Sequence, residues 1–165
     1  MRGRVFLFGD DIDTDQLAPG QYMRGGIEMI AAHCLEGVRP DFPTTVVAGD
    51  VIVAGDNFGV GSSREQAAEA LRHLGLAGVI ARSFAGIFYR NAINLGLVAL
   101  VAPSIRGVDD HDACELDVAT ATLRLTTKNN DIPLEPMPDN LQALLADGGL
   151  VPHLKRLLGA GGAGS

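Results

Sequence analysis

The sequence predicts an α/β fold in which helices flank a parallel core sheet. Three short apolar runs, residues 50–55, 77–81 and 97–102, have the composition of strands that are buried on both faces. Residues 64–74 and 84–95 lie between these runs and carry apolar side chains at helical spacing. An alternation of strands and helices gives right-handed crossovers, so we expect the three strands to be parallel.

The segment before the first of these apolar runs adds a strand and a helix. Residues 5–8 are apolar and predict a first strand, and residues 27–35 predict a short helix that ends before the prolines of residues 40–43. In the second crossover, we expect Ser83 to cap the helix at its start and Gly96 to end it.

The last third of the chain has a different pattern. Residues 114–127 alternate between polar and apolar, which predicts a hairpin that either extends the core sheet or forms a side barrel. Residues 136–158 predict short helices that break at residues 147–149. We expect residues 1–158 to form a single domain and residues 159–165, "GAGGAGS", to be a flexible tail.

Composition narrows the classes of function. The 165 residues suffice for one domain with a core, and a formal net charge of −7 argues against nucleic acid or an acidic membrane surface as the partner. The two cysteines, Cys34 and Cys114, form neither a disulfide framework nor a metal-ligand spacing. The N-terminal residues match neither a signal peptide nor a membrane span, so we expect a cytoplasmic protein.

The stretch "GDNFGVGSSREQA", residues 55–67, follows a predicted buried strand, where ligands of α/β proteins usually bind. We expect Ser62 and Ser63 in the first turn of the next helix, where free N–H groups and the helix dipole attract anions. Arg64 adds a fork of donors that suits a carboxylate, and Glu65 could orient it. The plainer alternative is that a serine caps the helix and Arg64 faces solvent. The stretch fits neither a P-loop nor a nucleophile elbow.

A second candidate loop, residues 10–26, is rich in Asp, Gly and Pro and is expected to be long and exposed. Its acids do not have the spacing of a calcium-binding EF-hand loop. We expect Asp13 and Asp15 to fold the loop through hydrogen bonds from their side chains to the backbone. Arg24, which lies among glycines, could reach into a cleft.

Three stretches together resemble one known family. "DIDTDQLAPGQYMRGG", "DFPTTVVAGDVIVAGDNFGVGSSREQA" and "ARSFAGIFYRNAINLGL" are similar to the small subunit of 3-isopropylmalate dehydratase, with the homoaconitase small subunit close. These proteins are the swivelling domain of the aconitase superfamily. The resemblance implies an α/β fold of the aconitase-like swivelling β/β/α type and a hydro-lyase that is made of two chains.

The resemblance implies roles for four residues. Ser62 matches the family's catalytic base, and Ser63 and Arg64 match groups that bind a substrate carboxylate. Arg24 matches a specificity or carboxylate-binding position on a mobile loop. A [4Fe–4S] cluster is expected on a separate large subunit, in a heterodimer or heterotetramer, because two isolated cysteines cannot supply its four thiolates.

The resemblance favours the interconversion of 2-isopropylmalate and 3-isopropylmalate in leucine biosynthesis. Arg24 keeps a second substrate open, because relatives that act on homoaconitate or other tricarboxylates tend to have an arginine on this loop. Relatives that act on isopropylmalate often have an apolar residue there. A smaller substituted malate or maleate is a third candidate.

Two departures from the family leave a different class of function open. Gln66 stands where relatives commonly have histidine, and Gly86 stands where arginine is frequent. A non-catalytic binding module on the same fold is therefore an alternative to the enzyme. For the enzyme, residues 88–94 and the 10–26 loop are expected at the interface with the large subunit, and isolated chains could associate with each other through the same surface.

Overall fold

The computed structural model describes residues 2–162, with side chains through residue 159. Within that range seven strands form a sheet in the order β4-β3-β2-β1-β5-β6-β7. Their bounds are β1 (Arg2–Leu7), β2 (Val51–Ala54), β3 (Gly78–Ala81), β4 (Ala99–Val101), β5 (Ala113–Asp117), β6 (Thr122–Leu125) and β7 (Asn130–Pro133).

The predicted parallel core is confirmed. Strands β1, β2, β3 and β4 pair in parallel, each with its neighbour in the chain. Every residue of β2 and β3 is buried, as their continuous apolar runs predict for strands covered on both faces. The carboxyl ends of four adjacent strands therefore lie along one edge of the sheet.

The predicted hairpin is also confirmed, and it extends the sheet. Strand β5 pairs antiparallel with both β6 and β1. Strand β7, which pairs antiparallel with β6, is absent from the sequence prediction. Its residues include Asn130, Asp131 and Pro133, which are poor strand formers, so pairing with β6 at the edge of the sheet overrides local propensity here.

Helices connect and cover the strands. Their bounds are α1 (Thr14–Leu17), α2 (Gly26–Ala32), α3 (Phe42–Thr45), α4 (Gln66–His73), α5 (Gly86–Asn94), α6 (Asp139–Ala146) and α7 (Leu150–Gly162), with a 3₁₀ helix at Gly20–Gly25. The break between α6 and α7 falls at residues 147–149, as predicted. Helix α7 includes residues 159–162 of the predicted tail, and residues 163–165 lie outside the described residues. The domain limit at residue 158 stays a prediction.

The start of α5 differs from the prediction, while its end agrees. Ala85 occupies the N-cap position of α5 and makes no side-chain cap, so the expected cap by Ser83 is wrong. The hydroxyl of Ser83 instead accepts a hydrogen bond from the backbone N–H of Asn57, at 2.8 Å. Gly96 has a φ of +82° and follows the last turn of the helix, which confirms it as the stop.

The 10–26 segment is more ordered than an exposed loop. It contains α1 and the 3₁₀ helix, and Ile12, Thr14 and Leu17 are buried. The predicted side chain–backbone bonds are confirmed, because Oδ1 of Asp13 accepts from the Gln16 N–H at 2.8 Å and Oδ1 of Asp15 accepts from the Gly20 N–H at 3.2 Å. The abundance of Asp, Gly and Pro therefore accompanies tight capping and turning in a segment that is also partly exposed.

None of the helices within residues 2–162 is both long enough and apolar enough to cross a membrane.

An aromatic cluster supports the loop between β2 and α4. The rings of Phe58 and Phe88 are 5.3 Å apart at an angle of 69°, and both side chains are buried. Gly59 lies against this cluster with a φ of +85°, and a Cβ there would overlap the ring of Phe88. The glycine is therefore required for backbone conformation and for close packing.

Replacing Gly59 with alanine should destabilise the fold. We expect Gly59→Ala to lower the free energy of unfolding by about 2–4 kcal/mol, because overpacking adds to the cost of a positive φ. Urea denaturation of the purified chain measures this change. Gly86→Ala is the matched control, because the nearest atom to its added Cβ would be Nη1 of Arg90 at 3.9 Å. Equal stability of the two variants would contradict the account.

Candidate functional site

Two loops meet at the carboxyl ends of β1 and β2. One runs from β1 to α1 and the other from β2 to α4, and they pair through a parallel bridge between Asp13 and Val60. The backbone N–H of Thr14 donates to the carbonyl oxygen of Val60 at 2.9 Å, and that of Gly59 donates to the carbonyl oxygen of Ile12 at 2.7 Å. This backbone pairing fixes the position of the serine loop relative to the first loop.

Ser62 lies where these loops meet. Its side chain is exposed, and its Oγ lies 3.2 Å from Oγ1 of Thr14. Its backbone N–H donates to the same Oγ1 at 3.0 Å. Thr14 itself is only 4% exposed. Ser62 is therefore an exposed residue whose hydroxyl lies against the hydroxyl of a buried threonine.

Gly61 allows this contact. Its φ is +123°, and a Cβ there would lie 2.7 Å from Oγ1 of Thr14. The structure shows that Gly61 makes room for the chain's own threonine.

The expected relation between the serines and the helix is wrong. Helix α4 begins at Gln66, and Glu65 occupies its N-cap position without a side-chain cap. Ser62 and Ser63 precede these residues, outside the first turn, and neither serine caps the helix. The hydrogen bonds of Ser62 with Thr14 and the positive φ of Gly61 hold this part of the chain outside the helix, so the helix begins later than the apolar spacing suggests.

Arg64 is held by the first loop and not by Glu65. Its Nη1 donates to the carbonyl oxygen of Ala18 at 2.7 Å and lies 3.3 Å from Oδ1 of Asp15. The Arg64 side chain is 26% exposed. The guanidinium is thus fixed beside the serine loop while part of it remains open to solvent.

Ser63 and Arg24 are placed less tightly. The carbonyl oxygen of Ser63 accepts a hydrogen bond from Nδ2 of Asn91 on α5, at 3.3 Å, and its side chain is exposed. Arg24 is exposed on the 3₁₀ helix and makes no ion pair with residues 2–159. That helix is anchored by Tyr22, whose ring stacks on His33 at 3.6 Å between centroids.

Sequence reasoning missed three supporting residues. Thr14, Asp15 and Asn91 contact Ser62, Arg64 and Ser63 respectively. Each of these residues is distant in sequence from the residue that it contacts, so the local sequence pattern does not predict the contact. Asp15 was recognised only as a residue that folds its own loop.

Comparison with known proteins identifies the family. The Aconitase C-terminal domain family matches residues 41–104. A methanogen homoaconitase small subunit from Methanothermobacter thermautotrophicus is 46% identical over 98% of this chain and 94% of its own length. A 3-isopropylmalate dehydratase small subunit from Methanopyrus kandleri is 48% identical over 94% of this chain and 93% of its own.

A solved structure agrees with these relatives. The crystal structure of 3-isopropylmalate dehydratase from Methanocaldococcus jannaschii has a TM-score of 0.94 and 44% identity, and the match covers 99% of this chain and 98% of that one. The chain belongs to the family of 3-isopropylmalate dehydratase and homoaconitase small subunits. The predicted aconitase-like swivelling fold is therefore confirmed.

The two departures from this small-subunit family that bear on catalysis each occupy the first residue of a helix. Gln66 is the first residue of α4 and is half-buried. Gly86 is the exposed first residue of α5. Within residues 88–94, Phe88, Ala92 and Ile93 are buried in the core of this chain, so only the remaining residues could contact another subunit.

The cysteines of this small-subunit family member do not fit an iron–sulfur cluster. Cluster ligands are thiolates, but burial raises the pKa of Cys34 far above its usual range. Burial, with the nearby carboxylates of Asp50 and Asp112, raises the pKa of Cys114 to about 11. Among the described residues, no group of three or more His, Cys, Asp or Glu side chains could hold a metal ion.

Proposed function

We propose that this chain is the small subunit of a two-chain hydro-lyase that interconverts 2-isopropylmalate and 3-isopropylmalate, with Ser62 as its base. The observation that carries the proposal is the exposed hydroxyl of Ser62, which is held at the carboxyl edge of the sheet within the family's serine motif. Near-complete coverage of 3-isopropylmalate dehydratase small subunits at 42–48% identity supports the same conclusion.

The proposed base acts on a weakly acidic proton. Dehydration breaks a C–H bond beside a carboxylate and a C–O bond on the neighbouring carbon. The proton passes to Oγ of the Ser62 alkoxide, and the electron pair of the C–H bond forms the C=C bond. Hydroxide leaves with the electron pair of the C–O bond. A serine hydroxyl is almost wholly protonated near neutral pH, so the site must stabilise the alkoxide.

Arg64 and Ser63 are proposed to bind a substrate carboxylate. Only Nη1 of Arg64 hydrogen-bonds to residues 2–159, so other donors of its planar guanidinium are available. Because Asp15 and the carbonyl of Ala18 already fix that group, less side-chain entropy is lost when a carboxylate binds. The exposed hydroxyl of Ser63 lies next to it in the chain.

A separate large subunit completes the proposed enzyme. It would hold the [4Fe–4S] cluster, which supplies Lewis-acid chemistry, in a heterodimer or heterotetramer in the cytoplasm. The relatives' names as small subunits support a partner. The free, buried cysteines of this chain support a reducing compartment. The exposed residues of 88–94 and the first loop are the proposed contact surface.

Replacing Ser62 should abolish turnover. We expect Ser62→Ala, assayed with the large subunit on isopropylmalate, to lose at least about 1,000-fold in kcat, because no other group would take the proton. Its fold and its assembly with the large subunit should be unchanged, as checked by thermal unfolding and gel filtration. Ser104→Ala, at an exposed serine distant in sequence, is the control and should keep normal activity. Near-normal kcat in Ser62→Ala would refute the role and favour the non-catalytic binding module.

A homoaconitase small subunit is the second candidate. Arg24 is an exposed cation without an ion pair to residues 2–159, and it lies on the loop where family resemblance places specificity. Two methanogen homoaconitase small subunits are 46% identical to this chain, level with the isopropylmalate relatives. An unpaired arginine beside an isopropyl group would cost roughly 1–3 kcal/mol, whereas an added carboxylate would pair with it.

Arg24→Leu separates the two substrates. If Arg24 binds a third carboxylate, we expect this variant to lose about 10- to 100-fold in kcat/KM on homocitrate, as loss of a charged hydrogen bond predicts. Activity on isopropylmalate should hold or rise. Arg106→Leu, at another exposed arginine, is the control. A wild-type complex that turns over isopropylmalate and leaves homocitrate unchanged would instead exclude the second candidate.

A further inference from the structure

We infer that Thr14 is a positioning residue for the proposed base: its buried hydroxyl fixes the side chain of Ser62 and donates a hydrogen bond to Oγ when Ser62 loses its proton. This inference rests on the proposed function. Helix α4 begins only at Gln66, whereas Oγ1 of Thr14 lies 3.2 Å from Oγ of Ser62.

The direction of the hydrogen bonds follows from counting donors. The backbone N–H of Ser62 can only donate, so Oγ1 of Thr14 is its acceptor at 3.0 Å. The single proton of the Thr14 hydroxyl is then left for another acceptor. Oγ of Ser62, at 3.2 Å, is its only hydrogen-bond partner of that kind among residues 2–159.

Ionisation of Ser62 makes this direction obligatory. In the neutral pair either hydroxyl can donate to the other. An alkoxide has no proton, so only Thr14 can then be the donor. A hydrogen bond to a charged oxygen is stronger than one between neutral groups, and the bond therefore favours the reactive form of Ser62.

The rest of the loop holds Thr14 in place for this role. Its N–H donates to the Val60 carbonyl at 2.9 Å, and its own carbonyl accepts from the N–H of Ala18 at 2.9 Å. Asp13 and Gln16 close a reciprocal capping box around it, with bonds of 2.8 Å and 2.9 Å. Because Thr14 is 4% exposed, little water competes for its hydroxyl.

The test is Thr14→Val in the complex with the large subunit, assayed on the substrate that the wild-type complex turns over. Valine keeps the shape and removes the hydroxyl. We expect kcat to fall roughly 10- to 100-fold with little change in KM, as loss of a hydrogen bond to a charged group predicts. Without its donor the alkoxide is less stable, so the acid limb of the kcat–pH profile should move to higher pH.

Two further variants separate this role from a structural one. Thr14→Ser keeps the hydroxyl and should retain kcat within a few-fold of wild type and its pH profile. Thr122→Val, a substitution on β6 that is favourable for a strand, should match wild type in both. If Thr14→Val does not fold, Thr14→Ala and Thr14→Ser differ by the hydroxyl alone and give the same comparison.

The outcomes distinguish this inference from the proposed function. If Ser62→Ala is inactive but Thr14→Val folds and keeps the wild-type kcat and pH profile, the positioning role is overturned and the serine base stands. A Thr14→Ser variant as impaired as Thr14→Val also overturns it, because the hydroxyl would not be the cause. If Ser62→Ala is active, both fail. Reduced kcat in Thr14→Val, a shifted acid limb and rescue by Thr14→Ser support it.

Discussion

The pairing of two loops at the end of adjacent parallel strands is the constraint on which the rest of the site depends. Strands β1 and β2 run side by side, so the segments that leave them emerge together. Backbone hydrogen bonds then join residues 12–14 to residues 59–60. This pairing brings a buried threonine and an exposed serine from opposite loops into contact, and it requires glycine at position 61, while packing against Phe88 requires Gly59.

The polar surroundings of Ser62 differ in kind from a helix N-terminus. A hydroxyl that already accepts the Ser62 N–H contacts Oγ directly, while the guanidinium of Arg64 is tied to Ala18 and Asp15. The proposed alkoxide would thus have a neutral donor 3.2 Å away in Thr14, while Arg64 keeps donors for the substrate. A preorganised arrangement of this type costs little reorganisation at the moment of proton transfer.

Much of the fold could be predicted from the sequence because its signals are local. Continuous apolar runs indicate the buried parallel strands, alternation indicates the β5–β6 hairpin, and Gly96 indicates a helix end. Strand β7 could not be predicted, because its residues are poor strand formers that pair only at the edge of the sheet. The order within residues 10–26 was also missed, since an Asp-rich composition fits a capping box as well as an exposed turn.

The candidate site residues could be named from the sequence, whereas their contacts could not. The serine motif lies in one stretch of sequence, and it is the reason that Ser62, Ser63 and Arg64 are proposed as site residues. The residues that position them, Thr14 and Asp15, lie on another loop, and their contacts arise only from strand pairing. The start of α4 at Gln66 could not be predicted for the same reason. The spacing of apolar residues does not show that Ser62 is hydrogen-bonded to Thr14 on another loop.

Amide hydrogen exchange at Ser62 in the isolated chain tests the central claim most directly. If the buried Thr14 hydroxyl accepts the Ser62 N–H, this amide should exchange about tenfold or more slowly than in an unstructured chain, although its residue is exposed. The protection should disappear when Thr14 is replaced by valine, while amides of β2 keep theirs. An unprotected Ser62 amide in the wild-type chain, or protection that survives loss of the threonine hydroxyl, would contradict the account.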